Sequence, residues 1–298
     1  MNKPKIIAVL GPTASGKSDL AVELARKFNG EIISADSRQV YKGLDIGSGK
    51  ITKKEMRGIP HHLLDVASPL RTFTVAQFQK LGGRAIKNIL RKNKVPIIAG
   101  GTGLYIDTLL YGYNFPAVKP NPQLRGKLER QTTEELFDKL SELDPARATG
   151  IDRFNKRRLV RALEIVIATG KPVPKLEKHS AYDTLKIGIN ISQEKLRRNI
   201  ELRLKKRLRR GMLKEINHLR KSDVSFKRLQ SFGLEYRAMS RYTQGLIIKK
   251  EMEQNIISES IDYTKRQTTW WKRDKEIRWI NNPAKAILLT KKFLKQAS

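Results

Sequence analysis

Blocks of hydrophobic residues alternate with polar, glycine-containing segments through the first hundred residues of the chain. Residues 5–10 are almost entirely apolar and end at a Gly-Pro pair, which predicts a buried strand of a parallel sheet. A helix is predicted over residues 17–28, and a second short strand over residues 31–35. This strand carries Asp36 at its C-terminal end, and we expect it to lie beside the first strand.

The same alternation occurs once more before residue 110. Thr74 and Gln77 have the spacing of a capping box, which predicts the start of a helix that runs to about Lys92. Residues 95–99 predict a third strand, which ends at Gly100-Gly101. Strand, loop and helix repeated in this order predict an α/β fold, in which a parallel sheet with right-handed crossovers is flanked by helices.

The pattern changes in the middle of the chain, where strand-like runs stop and apolar residues recur at helical spacing. We therefore predict that residues 111–183 form a helical insertion domain in a catalytic core made of residues 1–110 and 184–298. Residues 185–191 alternate again and predict a return to the sheet. The rest of the chain is predicted to form basic C-terminal helices, apart from a last edge strand over residues 277–280.

A phosphate-binding motif follows the first predicted strand. The sequence Gly-Pro-Thr-Ala-Ser-Gly-Lys-Ser at residues 11–18 matches G-x-x-x-x-G-K-[ST] in the required context of strand, loop and helix. Such a loop directs successive backbone N–H groups and a helix N-terminus at one anion, so it predicts a P-loop NTPase-like core that binds a diphosphate or triphosphate. Lys17 adds a charge on the outer phosphate, and the Ser18 hydroxyl is a candidate ligand of Mg²⁺. The predicted diphosphate-binding residues are Gly11, Thr13, Ala14, Ser15, Gly16, Lys17 and Ser18.

Polar residues follow two other predicted strands. Ligands of open α/β sheets bind beyond the C-terminal ends of the strands, so Asp36 is predicted to face the phosphate site as a general base. The alternatives are an Asp that caps the next segment or one that reaches magnesium through water. Ser37, Arg38 and Gln39 suit contacts with a second substrate, and so does Thr102, although a tight turn alone explains the glycines around Thr102 equally well.

The charge of the chain points to a polyanionic partner. There are 61 Lys and Arg against 29 Asp and Glu, a formal charge of +32, which favours nucleic acid binding. Fourteen Lys and Arg but three acidic residues occur over residues 195–228, a helical region with one apolar stripe. In the insertion, Arg157, Arg158 and Arg161 are candidates for contacts with RNA phosphates, and Arg125 is a further one.

Composition also excludes several classes of protein. The chain has no cysteine, which excludes disulfides, cysteine-ligated zinc, iron–sulfur clusters and thiol catalysis. It has no apolar run of 18 residues, and its N-terminal apolar stretch is too short for a secretion signal. We therefore expect a cytoplasmic protein that does not associate with membranes and acts as a monomer.

Several motifs together resemble those of the tRNA dimethylallyltransferase family (IPP transferases). The phosphate loop is one of these motifs, and the segment Ser-Ala-Asp-Ser-Arg-Gln-Val-Tyr at residues 34–41 resembles the family's segment with the catalytic Asp, which falls on Asp36. Further similar blocks, in the family's order, lie at residues 60–65, 100–105, 161–164 and 265–270. The sequence departs from the family around residues 231–237, where many members read Arg-x-x-Gly-Tyr and where the family's arginine falls near Phe232.

The resemblance implies a reaction and its substrates. A dimethylallyl group would pass from dimethylallyl diphosphate to N6 of the adenosine next to the anticodon of tRNA, position 37, with release of pyrophosphate. Asp36 would accept the N6 proton, while Lys17, Mg²⁺ and the loop amides stabilise the pyrophosphate. The adenosine would be flipped out of its stack and held by Thr102 and the segment from Ser37 to Gln39.

Three other functions use the same motifs. A small-molecule P-loop kinase, an ATP-binding protein, would activate a hydroxyl with the same Asp, but it gives no reason for the charge of +32. An adenylate prenyltransferase that uses free AMP would need neither the basic helices nor the insertion. An RNA-binding ATPase without transfer chemistry would need a second acidic motif of the Walker-B type, which the sequence does not clearly contain.

Overall fold

The computed structural model describes residues 3–296, in which six strands form one parallel sheet. Five of the strands agree closely with the apolar runs of the sequence, since each predicted strand overlaps an observed one. Residues 185–191 were predicted to rejoin the sheet, and they do so up to residue 189. The strands are β1 (Lys5–Leu10), β2 (Gly30–Ala35), β3 (His61–His62), β4 (Val95–Gly100), β5 (Asp183–Ile189) and β6 (Arg278–Ile280).

Helices cover most of the remaining described chain. Their bounds are α1 Lys17–Lys27, α2 Lys53–Met56, α3 Val75–Arg91, α4 Gly103–Tyr111, α5 Pro122–Leu128, α6 Thr133–Leu143, α7 Pro145–Ala148, α8 Lys156–Thr169, α9 Gln193–Arg209, α10 Met212–Lys221, α11 Phe226–Ser231, α12 Leu234–Thr243, α13 Lys249–Lys272 and α14 Pro283–Lys295. The predicted capping box at the start of α3 is confirmed, since the Gln77 N–H donates to Thr74 Oγ1 at 3.2 Å and the Thr74 N–H to Gln77 Oε1 at 2.9 Å. No helix in residues 3–296 is long and apolar enough to cross a membrane.

The sheet is buried on both faces, which explains why its strands are apolar throughout rather than alternating. In β1, Ile6 and Ala8 belong to the core beneath α3, α4 and the C-terminal helices, whereas Ile7 and Val9 belong to the core beneath α1 and α14. Each fully buried side chain of this kind contributes about 1.5–3 kcal/mol. The two cores therefore fix the position of the loop that leaves β1.

The strand order corrects one expectation. The order is β3-β2-β4-β1-β5-β6, so β4 separates β2 from β1 and Asp36 does not leave the sheet beside the first strand. The connection through α1 leads from β1 to β2 and leaves one strand position empty between them. The connection through α3 then brings β4 into that position. Hydrophobic pattern identifies buried strands but carries no information on their order. The C-terminal ends of β1, β4 and β2 still lie along one edge of the sheet, because all three strands are parallel.

The chain forms two compact units. One contains the chain up to Gly112 and from His179 onward, and the other contains residues 113–178. The second unit consists of α5 to α8 around its own apolar core, which includes Leu136, Leu140 and Leu163. These four helices lie within residues 111–183, for which we predicted a helical insertion.

A buried carboxylate organises the second unit. Glu164 of α8 has no exposed surface, and its oxygens accept from Arg125 Nε at 2.8 Å, Arg125 Nη2 at 2.7 Å and the Asn121 N–H at 2.7 Å. Arg161 adds a second ion pair at 2.5 Å. Although burial opposes ionisation, these donors lower the pKa of Glu164 to about 2. The two arginines thus stabilise a charge that the apolar core would otherwise exclude.

Glu164→Ala is expected to destabilise this unit by roughly 2–4 kcal/mol, because the two guanidinium groups lose their partner and a cavity remains. Urea unfolding of the full chain measures the loss of stability. Hydrogen exchange of the amides in residues 113–178 shows whether that loss lies in this unit. Since the pKa of Glu164 is lowered to about 2, its stabilising contribution is fully present above the ordinary Glu range and is lost as the pH falls toward 2. The control is Glu142→Gln at an exposed position of α6, and equal stability of the two variants contradicts the assignment.

Candidate active site

The loop between β1 and α1 has the backbone conformation of a phosphate cradle. Ala14 and Gly16 adopt left-handed conformations, with φ of 64° and 89°, and the Ser15 N–H donates to the Pro12 carbonyl at 3.2 Å. A Cβ on Gly11 would lie 2.6 Å from Ser15 Oγ, so any larger residue there would force the Ser15 side chain to move. Ser15 Oγ is buried and finds no hydrogen-bond partner within residues 3–296. An anion in the cradle would supply the missing acceptor.

Lys17 begins α1 and lies beside the loop. Its Nζ donates to the Pro12 carbonyl at 3.3 Å. Burial lowers the pKa of Lys17 to about 8; Asp36 raises it, and Arg203 and Arg207 lower it. At neutral pH the ammonium is still mostly charged, but it is poorly solvated and close to other cations. Binding of an anion relieves both unfavourable contributions.

Asp36 caps the segment that follows it, which is one of the alternatives predicted for it; its role as a general base stays a prediction. Its Oδ1 accepts from the N–H groups of Arg38 at 2.9 Å and Gln39 at 3.3 Å, so the carboxylate does cap the next segment. No donor within residues 3–296 bonds to Oδ2. Asp36, Lys17 and Ser18 line the same small cavity of about 60 Å³ at the C-terminal edge of the sheet. The cap fixes the carboxylate, and one oxygen remains for a substrate proton.

Helix α9 covers the phosphate loop and brings two arginines to it. Its apolar stripe, with Leu196 and Ile200, packs on Ala14, and Asn199 Nδ2 donates to the Ala14 carbonyl at 3.0 Å. This packing places Arg203 and Arg207 on the walls of the small cavity and of a neighbouring cavity of about 650 Å³. Both belong to the basic stretch of residues 195–228, whose charge favours a nucleic-acid partner. The sequence gives their charge but not the element against which their helix packs.

A glutamine from α13 joins the phosphate loop to the end of β4. Gln267 is almost fully buried; its Oε1 accepts the Thr13 N–H at 2.9 Å and its Nε2 donates to the Gly101 carbonyl at 2.7 Å. A Cβ at Gly101 would overlap the Gln267 amide, which explains the second glycine of that turn. We did not predict this residue, although it lies in one of the blocks that resemble the tRNA dimethylallyltransferases.

The segment after Asp36 is fixed by long-range hydrogen bonds. The Ser37 N–H donates to Thr102 Oγ1 at 3.1 Å, which links the ends of β2 and β4. Arg38 Nε donates to the Phe232 carbonyl at 2.8 Å, and its guanidinium lies 5.5 Å from the centre of the Tyr263 ring. Gln39 accepts from Ser34 Oγ at 3.2 Å and lines the small cavity. These side chains are therefore held in place around the carboxylate.

The predicted arginines of the insertion differ in their surroundings. Arg125 and Arg161 are paired with Glu164, so part of their hydrogen-bonding capacity stabilises the unit itself. Arg157 and Arg158 are exposed on α8. A contact of any of the four with RNA remains a prediction, and the exposed pair is better suited to it.

The residues present suit Mg²⁺ as the metal. Residues 3–296 contain no group of three or more His, Asp or Glu side chains placed to hold a metal ion. The cavity does offer hard oxygen donors, the Ser18 hydroxyl and the Asp36 carboxylate. Mg²⁺ is commonly held by few protein ligands together with phosphate oxygens and water, so a phosphate substrate would complete the site.

Comparison with known proteins identifies relatives over most of the chain. The family model described as IPP transferase matches residues 39–274. A tRNA dimethylallyltransferase of Anoxybacillus flavithermus is 39% identical over 282 residues, which are 93% of this chain and 90% of that protein. One of Staphylococcus epidermidis is 39% identical over 293 residues, 94% of this chain and 88% of the relative.

Solved structures give the same result. A tRNA isopentenylpyrophosphate transferase of Bacillus halodurans is similar with a TM-score of 0.73 and 34% identity, over 98% of this chain and 96% of the other. A eukaryotic dimethylallyltransferase acting on tRNA is similar with a TM-score of 0.81 and 26% identity, over 99% of this chain and 80% of the other. The predicted resemblance and the P-loop-like α/β fold are thereby confirmed.

The lowered pKa of Lys17 predicts how binding of a diphosphate depends on pH. Below pH 8 the ammonium is charged, so Lys17 itself is expected to add little pH dependence to the affinity for inorganic pyrophosphate between pH 6.5 and 7.5. Above pH 8 the affinity falls, since Lys17 of the free protein, with its pKa of about 8, must first take up a proton. Calorimetric titration with pyrophosphate over pH 6.5–9.5 measures this, and Lys17→Arg is expected to move the decline to higher pH. A decline at the same pH in both proteins would contradict the assignment.

Proposed function

Because the chain belongs to the IPP transferase family and transfers a dimethylallyl group to tRNA, we propose that the group comes from dimethylallyl diphosphate. The acceptor is N6 of the adenosine next to the anticodon, position 37. The observation that carries this proposal is the shared cavity, in which a carboxylate oxygen that has no donor among residues 3–296 lies with the lysine of a phosphate cradle. Membership of this family also excludes the kinase, the AMP prenyltransferase and the ATPase without transfer chemistry.

The diphosphate is bound by the loop. Its oxygens accept from the backbone N–H groups of residues 14–18, from Ser15 Oγ and from Lys17, and the helix dipole of α1 adds to the attraction. Ser18 would hold Mg²⁺, which would supply further stabilisation of the negative charge on the leaving group. The Thr13 N–H already bonds to Gln267, so Thr13 contributes mainly to the position of the loop.

The reaction forms a bond between N6 and C1 of the prenyl group, while the bond from C1 to the diphosphate oxygen breaks. The electron pair of that bond leaves with pyrophosphate, which Lys17 and the loop amides stabilise. N6 is a weak nucleophile because its lone pair is delocalised into the adenine ring. Asp36 Oδ2 takes the N6 proton, which removes the positive charge that the new bond creates. Since Oδ1 is fixed by two N–H groups, the carboxylate does not need to reorient.

The adenosine reaches this carboxylate only when it is flipped out of the anticodon loop. Thr102 and the segment from Ser37 to Gln39 surround Asp36 and form the surface on which the flipped nucleotide is held. Exposed arginines of the insertion, Arg157 and Arg158 first, contact the phosphates of the stem-loop. We place the enzyme in the cytoplasm, where tRNA is found, and propose that it acts as a monomer.

Asp36→Asn is expected to lower turnover by at least about 100-fold, since the amide still accepts the capping hydrogen bonds but cannot take the proton. The affinity for tRNA is expected to stay within about tenfold. Single-turnover transfer of radiolabelled prenyl donor to tRNA, without ATP, measures the step. Asp223→Asn is the control, because Asp223 is exposed in a left-handed turn that Asn tolerates. Near-normal turnover of Asp36→Asn would remove Asp36 as the base.

Replacement of both Arg157 and Arg158 by Ala is expected to flatten the salt dependence of tRNA binding by roughly one unit of slope for each phosphate that the variant no longer binds. Replacement of the exposed Lys291 and Lys292 of α14 removes the same charge elsewhere and is the matched control. Binding measured between about 50 and 200 mM salt distinguishes a local contact from the effect of net charge. Equal slopes for both double variants would show that Arg157 and Arg158 are ordinary solvated side chains that bind no RNA phosphate.

A further inference from the structure

The segment that departs from the family pattern is buried and lies near the active site. The family's arginine falls near Phe232, which is an apolar side chain in the main core and offers no charge. Two residues of the following helix, Glu235 and Tyr236, are also buried. A buried glutamate requires a cationic or hydrogen-bonded partner. The identity of that partner shows what the segment does.

The partner of Glu235 is Arg207 of α9. Arg207 Nη1 donates to Glu235 Oε1 at 2.9 Å and to the Gly47 carbonyl at 3.2 Å. The two side chains are 13% and 9% exposed, so the ion pair is poorly screened. The guanidinium lines the same small cavity as Lys17 and Asp36, and its charge lowers the pKa of Lys17.

The loop that contacts Arg207 is itself fixed. The Glu215 carboxylate accepts from the N–H groups of Ile46 at 2.6 Å and Gly47 at 3.1 Å, and the Tyr236 hydroxyl donates to it at 2.7 Å. A Cβ on Gly49 would overlap the Arg207 guanidinium, so the backbone there closely approaches the charged group. Glu235 and Tyr236 of the departing segment thus hold Arg207 from two directions.

The hydrogen bonds leave part of the guanidinium unused. Within residues 3–296 both hydrogen bonds of Arg207 start at Nη1, whereas Nε and Nη2 donate to no protein acceptor. A structural ion pair alone does not require an arginine at a cavity that already contains Lys17 and Arg203, where the added charge is repulsive. When a doubly charged anion lies in the cavity, the guanidinium of Arg207 is attracted to the anion, and this attraction outweighs its repulsion by the other cations.

We propose that Arg207, positioned by Glu235, binds the diphosphate of the prenyl donor and stabilises the departing pyrophosphate. This inference rests on the proposed function, since it requires the diphosphate to lie in the loop. Arg207 is then a catalytic residue, and Glu235 is a positioning residue that acts through it. Planar N–H donors suit phosphate oxygens better than the single point charge of an ammonium.

The test compares binding of inorganic pyrophosphate, at fixed Mg²⁺, with steady-state transfer by the full-length enzyme. Arg207→Lys keeps the positive charge opposite Glu235 but loses the second set of donors, and we expect its affinity for pyrophosphate to fall roughly 10- to 100-fold. Its KM for the prenyl donor is expected to rise and its kcat to fall, while its KM for tRNA stays within about twofold. Glu235→Gln and Gly49→Ala leave Arg207 intact but move it, and we expect intermediate losses of affinity.

Arg209→Gln is the matched control, because Arg209 is on the same helix but lines neither cavity. Its affinity for pyrophosphate is expected to be unchanged. Thermal unfolding of each variant separates the proposal from a structural role, which would lower the melting temperature without changing the affinity of the folded protein. Lys17→Ala is measured in parallel as a test of the loop itself.

Normal pyrophosphate affinity in both Arg207→Lys and Arg207→Ala, with loss of affinity in Lys17→Ala, would overturn the role of Arg207 and leave the proposed function intact. Normal affinity in Lys17→Ala as well would contradict the diphosphate site and both conclusions with it. Equal losses in the Arg207 variants and in Arg209→Gln would assign the effect to net charge and would also overturn the proposal.

Discussion

Repulsion among cations is the constraint on which the rest of the site depends. Lys17, Arg203 and Arg207 converge on one loop whose backbone N–H groups and helix dipole are also positive. In a partly buried cavity such charges repel one another more strongly than in water. The fold opposes this repulsion with Asp36 and Glu235, which are fixed by their own hydrogen bonds, and the substrate supplies the remaining negative charge. The free enzyme is therefore organised for an anion before the anion arrives.

The loop keeps its shape because helices from the distant C-terminal part of the chain are attached to it. Asn199 holds the Ala14 carbonyl, and Gln267 holds the Thr13 N–H together with the turn after β4. Thr102 then links that turn to Ser37 beside the Asp36 carboxylate. The groups proposed to bind the leaving group and the group proposed to accept the proton thus belong to one hydrogen-bonded framework. Such preorganisation lowers the cost of reaching the transition state.

The sequence alone predicted the parts of this site that depend on local pattern. The phosphate motif, the apolar strands and the position of Asp36 at a strand end all follow from residues that are near one another in the chain. Strand order was wrong, because apolar strands do not record their neighbours. Arg207 and Gln267 were missed, since helical periodicity shows the apolar stripe of a helix but not the surface on which it packs. Glu164 did give a usable signal: a lone acid among apolar residues of α8 requires cationic partners, and Arg125 and Arg161 are those partners.

The account depends on the convergence of the leaving group, the attacked carbon and the base in one cavity. The most direct measurement is a crystal structure with the thiolo analogue of dimethylallyl diphosphate, in which sulfur replaces the bridging oxygen. We expect the diphosphate in contact with the N–H groups of residues 14–18 and Lys17 Nζ, with C1 turned toward Asp36 Oδ2. A diphosphate bound away from residues 11–18, or a prenyl carbon turned away from Asp36, would contradict it.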